Sequence, residues 1–320
     1  MRVALITPLT LGPDSNPGWY MITAGIKALV RKAVAEAEFI TVDMMQDNAV
    51  HWAAAATCDV AIICGNPRFT LSDDAWWEGG IWLRLMALQA AGVRVIDGWA
   101  GSAYSLGEPS VAVMAQAIAE KPRNVEYLKY AKAIHARITR DNLMTAIYGL
   151  ANADCKQLPC SSYWAREEMP VGNLQRKYDA IMLVGMWNRA RAREVLVEIR
   201  NRMNRHLPTR LIASTWDDYL WARGEGFADV RLINDAHSLL RLYSRCDHVL
   251  AYRLHAAIPA ASVGCKVRMV AIDTRATACE EFDIPVTPWN ELEDRPLIFE
   301  SCTPPDEGFV VHTLKEMLCR

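Results

Sequence analysis

The chain has 320 residues, a formal net charge of −2, 52% hydrophobic and 22% charged residues, a composition that excludes an intrinsically disordered polymer. Basic and acidic residues balance in both halves, 15 against 17 in residues 1–170 and 20 against 20 in 171–320, so neither half is a polycationic clamp for nucleic acid. No apolar run reaches the roughly 20 residues that span a bilayer and the chain opens on a strand rather than a leader, so a cytoplasmic protein of two ordinary domains is expected.

Short apolar runs alternate with helical patterns from the start. Val3–Thr7 reads as a strand, followed by the turn formers Gly12 to Gly18 and a helix over Tyr20–Ala35 with Ile22, Ile26, Leu29 and Val30 on one face. Phe39–Val42, Ala61–Cys64 and Val93–Ile96 read as further strands, the last two ending in Gly65-Asn66-Pro67 and Asp97-Gly98-Trp99-Ala100-Gly101. A helix is expected near Ile81–Ala91. Ala133–Ala136 and Cys155–Leu158 are expected as strands around a helix at Asp141–Ala151. Periodicity then lapses over Ser161–Gln175, which reads as an interdomain linker. A second series follows: strands at Ala180–Val184, Leu211–Ser214, Val230–Ile233, His248–Ala251 and Val267–Ile272, and helices at Arg191–Arg205, Ala236–Ser244, Leu254–Val263 and Glu307–Leu318. The pattern predicts an α/β protein of two Rossmann-like parallel-sheet domains facing a cleft, residues 1–165 and 166–320, with the last helix packing back on the first domain. The cleft between them is the default ligand site.

The nine cysteines form no Cys-x-x-Cys and no finger-like spacing with His, so reduced core thiols are expected, with no metal. No Gly-x-Gly-x-x-Gly or P-loop follows the first strand, which disfavours a dinucleotide oxidoreductase. The second half has 17 Arg and 3 Lys, a bias that fits anion recognition by a fixed fork, with codon bias as the plain alternative. In Cys246-Asp-His-Val-Leu-Ala-Tyr-Arg253-Leu-His255, a buried strand ends and an Arg and a His follow at a helix start. Arg253 there suits an anion and His255 a proton donor; a capping Arg beside a core His is the structural alternative.

At these residues the chain resembles the polysaccharide pyruvyl transferases. Arg253-Leu254-His255, the small-residue helix Ala256–Val263, the strand Val267–Ile272 and the turn Asp273-Thr274-Arg275 match that family's C-terminal hallmark, with Arg275 in place of the usual Lys. The helix Ala236–Leu240 leading to Cys246-Asp247, and Arg140-Asp141-Asn142 followed by Leu158-Pro159-Cys160, are similar as well. Asn16-Pro17-Gly18 stands where the family has an Asn-x-Gly-Asp loop, with Trp19 at the Asp, and Cys64-Gly65-Asn66-Pro67 stands at its glycine turn. The resemblance implies a GT-B-like fold and transfer of a pyruvyl group from phosphoenolpyruvate to a sugar or glycan hydroxyl pair, with no cofactor. It implies His255 as acid and Arg253 as anion binder, and Asn16, Gly18, Asn66, Asp273 and Arg275 as substrate-binding positions. Arg189 and Arg191 are candidates for a second cation on the donor; no base is identifiable, Asp217 and Asp218 being candidates, with a solvated helix start or N-cap as their structural alternative. Trp76, Trp77, Trp82 and Trp99 suit an aromatic acceptor platform, with core or interface packing as the structural alternative and a dimer contact a further one for Trp76-Trp77. A GT-B glycosyltransferase using a nucleotide sugar, with Glu225 or Asp247 on the ribose, and a non-catalytic relative on the same scaffold are the alternatives.

Overall fold

The computed structural model describes residues 1–8, 16–46, 48–70, 81–104, 110–172, 174–186, 189–203 and 207–319, apart from the side chains of Asn66, Thr70 and Arg123. Residues 9–15, Trp76, Trp77 and His206 lie outside the described residues.

In the first half, β1 (Arg2–Thr7), α1 (Pro17–Ala33), β2 (Glu38–Asp43), α2 (Ala49–Ala55), β3 (Val60–Thr70) and α3 (Ile81–Ala90) are followed by β4 (Arg94–Ala103), α4 (Val111–Ala119), α5 (Pro122–Ala133), β5 (Ala136–Thr139), α6 (Asn142–Leu150) and β6 (Lys156–Gln157). Its strands form one parallel sheet in the order β2-β1-β3-β4-β5-β6. A short 3-10 turn, Ser161–Trp164, and α7 (Ala165–Glu168) lead to the second half. This contains β7 (Tyr178–Leu183), α8 (Ala192–Met203), β8 (Thr209–Ala213), α9 (Trp216–Gly224), β9 (Arg231–Leu232), α10 (Ala236–Tyr243), β10 (Cys246–Ala251), α11 (Leu254–Ser262) and β11 (Lys266–Ala271). A 3-10 stretch, Thr274–Phe282, then precedes β12 (Val286–Pro288), β13 (Glu300–Ser301) and α12 (Glu307–Cys319). The second sheet runs β12-β11-β10-β7-β8-β9, all parallel, with β13 antiparallel on β11. The expected pair of Rossmann-like parallel-sheet domains is the observed architecture. The central strands read as unbroken apolar runs because helices cover both faces of each sheet, as in β1, where Val3 to Ile6 are all buried.

Several elements depart from the expectations. β3 and β4 do not end at their glycine turns. Both continue in register, Cys64 opposite Gly98 and Asn66 opposite Ala100, through facing residues with left-handed backbones, Gly65 (φ +39°) and Trp99 (φ +52°). A bulky residue at positive φ is strained, and Trp99 is pinned there by its indole N–H, which donates to the Pro159 carbonyl at 2.8 Å. The strand expected at Ala133–Ala136 begins at Ala136, because α5 runs through Ala133. The first part of the expected linker is core: Ser161, Ser162, Trp164 and Ala165 are buried. α1 meets this segment so closely that a Cβ at Gly25 would lie 1.7 Å from the Ser161 carbonyl oxygen. Aromatic bulk, not periodicity, fixes this stretch.

One apolar cluster joins the halves. Leu5, Ile26, Leu29 and Trp164 share it with Leu240, Leu254, Ile258 and Leu314. α12 lies against α1 through Val310, Leu314 and Leu318, all buried. Its first residue, Glu307, accepts from Lys32 Nζ at 2.6 Å and from Trp164 Nε1 at 2.8 Å.

Candidate active site

At the C-terminal edge of the second sheet, β10 gives way to Tyr252-Arg253 and then to α11. Arg253 is the N-cap residue of that helix, with an extended backbone (φ −126°, ψ 139°) and no side-chain capping bond. Its guanidinium is therefore not spent on the helix, and its buried Nε has no partner among the described residues. His255 follows in the first turn. The next strand, β11, ends at the turn Asp273–Arg275. Asp273 accepts from the Arg275 backbone N–H at 3.0 Å, and Arg275 Nε donates to both Asp273 oxygens at 2.8 and 3.0 Å. Burial alone would lower the Arg275 pKa; the hydrogen bond to Asp273 and its charge outweigh this and hold it above the usual value.

The opposing wall comes from the first sheet. Asn16 caps α1 by accepting from the Gly18 N–H at 3.0 Å, and Gly18 sits flush against His255: a Cβ there would lie 2.4 Å from His255 Nδ1. Arg140 follows β5 and is 0% exposed. Its Nη1 stands 3.2 Å from His255 Nε2, while its Nε and Nη2 have no partner among the described residues. Two glycines make room for this guanidinium. A Cβ at Gly101 would lie 2.5 Å from Arg140 Nε, and one at Gly65 3.5 Å from Nη1. The adjacent carboxylate does not pair with Arg140. Asp141 caps α6 by accepting from the Met144 N–H at 2.8 Å and also binds Ser102, whose N–H and hydroxyl both donate to it at 2.8 and 3.0 Å.

Burial of the imidazole, then the charges of Arg140, Arg275 and Arg253, hold His255 well below the usual imidazole range. Arginine only donates, so His255 Nε2 accepts from Arg140 and Nδ1 carries the proton of a neutral ring. With its pKa lowered in this way, the ring can act as an acid only after it takes up a proton. Burial also lowers the pKa of Arg140 and of Arg253, yet guanidinium stays charged. Buried cations with unused N–H groups are costly unless an anion meets them. The arrangement leaves unused N–H groups of Arg140 and Arg253 beside a neutral imidazole, a set of donors whose chemistry suits an anion.

The other expected site residues divide. Arg189 follows β7, which pairs with β10, and its buried Nε has no partner among the described residues. Arg191 stands apart. Its backbone is left-handed (φ +55°) and its side chain, 68% exposed, pairs with Glu293 at 3.3 Å. Asp217 is exposed in the first turn of α9. Its neighbour Asp218 is 1% exposed, accepts from the Met186 N–H at 3.3 Å and from Thr215 Oγ1 at 2.8 Å, and opposes the charge of Arg253. Asn16 is occupied as a helix cap. Asn66 lies on β3 opposite Ala100. Trp82 is no platform, because it is buried against Tyr127 and Tyr130 at centroid distances of 5.0 and 5.9 Å; Trp99 is buried as well. All nine cysteines are free thiols, and burial pushes Cys64 and Cys265 up to about 12, which makes them inert. Arg140 was not singled out for the site from spacing. The signal for it was an Arg at a strand end followed by a helix-capping Asp, facing two glycine turns.

The family model for polysaccharide pyruvyl transferase matches residues 16–274. No curated protein sequence matches the chain. Among solved structures, the chain is similar to UDP-GlcNAc 2-epimerase from Neisseria meningitidis (10% identity, TM-score 0.56, covering 99% of each chain). It is also similar to a putative UDP-N-acetylglucosamine 2-epimerase from Listeria monocytogenes (10% identity, TM-score 0.56, 98% of this chain and 94% of that one), and to UDP-GlcNAc 2-epimerase from Methanocaldococcus jannaschii (9% identity, TM-score 0.53, 99% and 100%). At such identities the likeness speaks to the fold, which is GT-B-like. The matched span runs from the cap of the first helix, through the buried Arg140, to the turn beyond α11, and by that match the chain belongs to the polysaccharide pyruvyl transferase family.

Proposed function

We propose that the protein transfers the pyruvyl group of phosphoenolpyruvate to two hydroxyls of a sugar or glycan, forming a cyclic ketal and releasing phosphate. The observation that supports this reading is the meeting of Arg140 and Arg253, each with unused N–H groups, on a neutral His255. The donor carries a phosphate and a carboxylate, and charge-assisted bonds to guanidinium are the strong ones. Its arrival offsets the cations that keep His255 neutral, so the ring takes up a proton. The imidazolium then gives that proton to the donor's methylene carbon, leaving an oxocarbenium-like centre. The first hydroxyl adds there and returns its proton to His255. The second displaces phosphate, which leaves with the remaining proton. Arg275, tied to Asp273, and Arg189 add positive field at the same sheet edge.

Titrating phosphoenolpyruvate and a panel of nucleotide sugars, with thermal unfolding as the readout, tests the reading. Stabilisation by phosphoenolpyruvate that is lost in Arg253→Ala and Arg140→Ala is expected. Stabilisation by a nucleotide sugar alone would replace this reading with the glycosyltransferase one.

A further inference from the structure

We propose that Thr274 is a positioning residue, fastening the Asp273–Arg275 turn of the second domain to the end of β4 in the first and so setting the separation of His255 and Arg140. The activity arm of the test rests on the pyruvyl-transfer reading; the geometric arm does not.

Thr274 is 3% exposed and lies between the two residues of the Asp273–Arg275 ion pair. Its N–H donates to the Tyr104 carbonyl at 2.8 Å, and the Tyr104 N–H donates to Thr274 Oγ1 at 3.0 Å, a reciprocal pair across the domain boundary. Thr274 Oγ1 also lies 3.1 Å from Ser102 Oγ. Since the Ser102 hydroxyl donates to Asp141, it accepts from Thr274. The chain of bonds therefore has one direction: Tyr104 N–H to Thr274 O–H to Ser102 O–H to the Asp141 carboxylate. Asp141 is joined by its peptide to Arg140, and Gly101, against which the Arg140 guanidinium rests, precedes Ser102 on β4. Every link from Arg275 to Arg140 is thus covalent or hydrogen-bonded, and the Ser102 to Asp141 part is buried. The apolar cluster that joins the halves attracts without direction, whereas a hydrogen bond holds angle and distance. Another polar bridge between the halves, Gln157 to Glu281 at 2.9 Å, is exposed and yields readily to water.

Thr274→Val keeps the shape and removes the hydroxyl; Thr274→Ser keeps the hydroxyl; Ser102→Ala cuts the next link and serves if Thr274→Val fails to fold. Among the described residues, the charged groups facing His255 are Arg140 from the β5–α6 junction, Arg253 from its own helix start and Arg275 from the turn; α1 presents Gly18. The first readout is the NMR titration of the His255 ring in the unliganded protein. Retreat of Arg140 in Thr274→Val or Ser102→Ala moves the midpoint up by about one pH unit, and Thr274→Ser restores it. The second readout is steady-state turnover of phosphoenolpyruvate with a sugar acceptor: kcat falls roughly 10- to 100-fold with a smaller change in donor KM, again rescued by serine. A midpoint that stays put in folded Thr274→Val and Ser102→Ala overturns the proposal, as does Thr274→Ser behaving like valine. A midpoint that moves as expected while the wild type turns over no phosphoenolpyruvate sustains the positioning role and sinks the pyruvyl-transfer reading instead.

Discussion

Three guanidinium groups around one imidazole is an arrangement that raises the free energy of the folded protein, and its consequences are measurable residue by residue. Arg253→Ala and Arg140→Ala should each weaken phosphoenolpyruvate by about 1.5–3 kcal/mol, the scale of a charge-assisted hydrogen bond. Calorimetric titration reads this directly, and Arg191→Ala, on the solvated surface, should leave the affinity alone. The His255 ring adds a pH signature. Its folded pKa lies below the unfolded value near 6.5. Above that value both states are neutral and nothing is lost. As pH falls below it, the unfolded chain takes the proton first, and stability declines by up to about 1.4 kcal/mol per pH unit until the folded ring also protonates. Urea unfolding of wild type against His255→Asn across pH 7.5 to 5 (on the order of the His window) should show the steeper acid loss in the wild type. Donor binding reverses the sign, so wild type should absorb a proton on binding at neutral pH and His255→Asn should not, which titration in buffers of differing ionisation enthalpy decides. Arg253 and His255 were legible because strand, Arg and small-residue helix are contiguous. Arg140 and His255 are separated by 115 positions, and no spacing rule joins residues that only the packing of two domains brings together.

Among elements, the parallel strands with both faces covered were the most readable, since burial on both sides leaves an unbroken apolar run. The least readable were β3 and β4 beyond Cys64 and Asp97. Their glycines carry the usual signals of a chain reversal, but here they serve close approach: Gly65 and Gly101 leave the space that Arg140 fills. The helices α2, α4 and α5 were not anticipated, because their apolar residues are few or face both core and solvent, as in α4, where Ala115 and Ile118 are buried but Val111 and Val113 exposed. α1 offers two contrasting tests. Gly25→Ala drives a methyl into the Ser161 carbonyl and should cost about 3 kcal/mol or more, visible as a lower melting temperature. Gly18→Ala meets the His255 ring rather than backbone, so donor binding should suffer more than stability. Equal melting losses from the two would contradict this division of labour along one helix.

At the scale of the molecule, the two sheets are not independent bodies joined by a tether. The apolar cluster runs through both, and α12 seals it from the side of α1. Leu314→Ala should therefore cost about 2–5 kcal/mol and lower a single unfolding transition reported alike by tryptophans of either half; a second, unshifted transition would show the halves to be separable. The arrangement also bears on the order of synthesis. Domains usually fold as they emerge, the earlier one first. Here residues 307–319 supply one of the covers of α1, beside the Ser161–Trp164 turn and α7, so part of its apolar surface stays open until that segment leaves the ribosome. Burial of the first half is thus finished by a segment of the second, and a ribosome stalled short of residues 307–319 presents to the cell's chaperones the side of α1 that Val310, Leu314 and Leu318 cover.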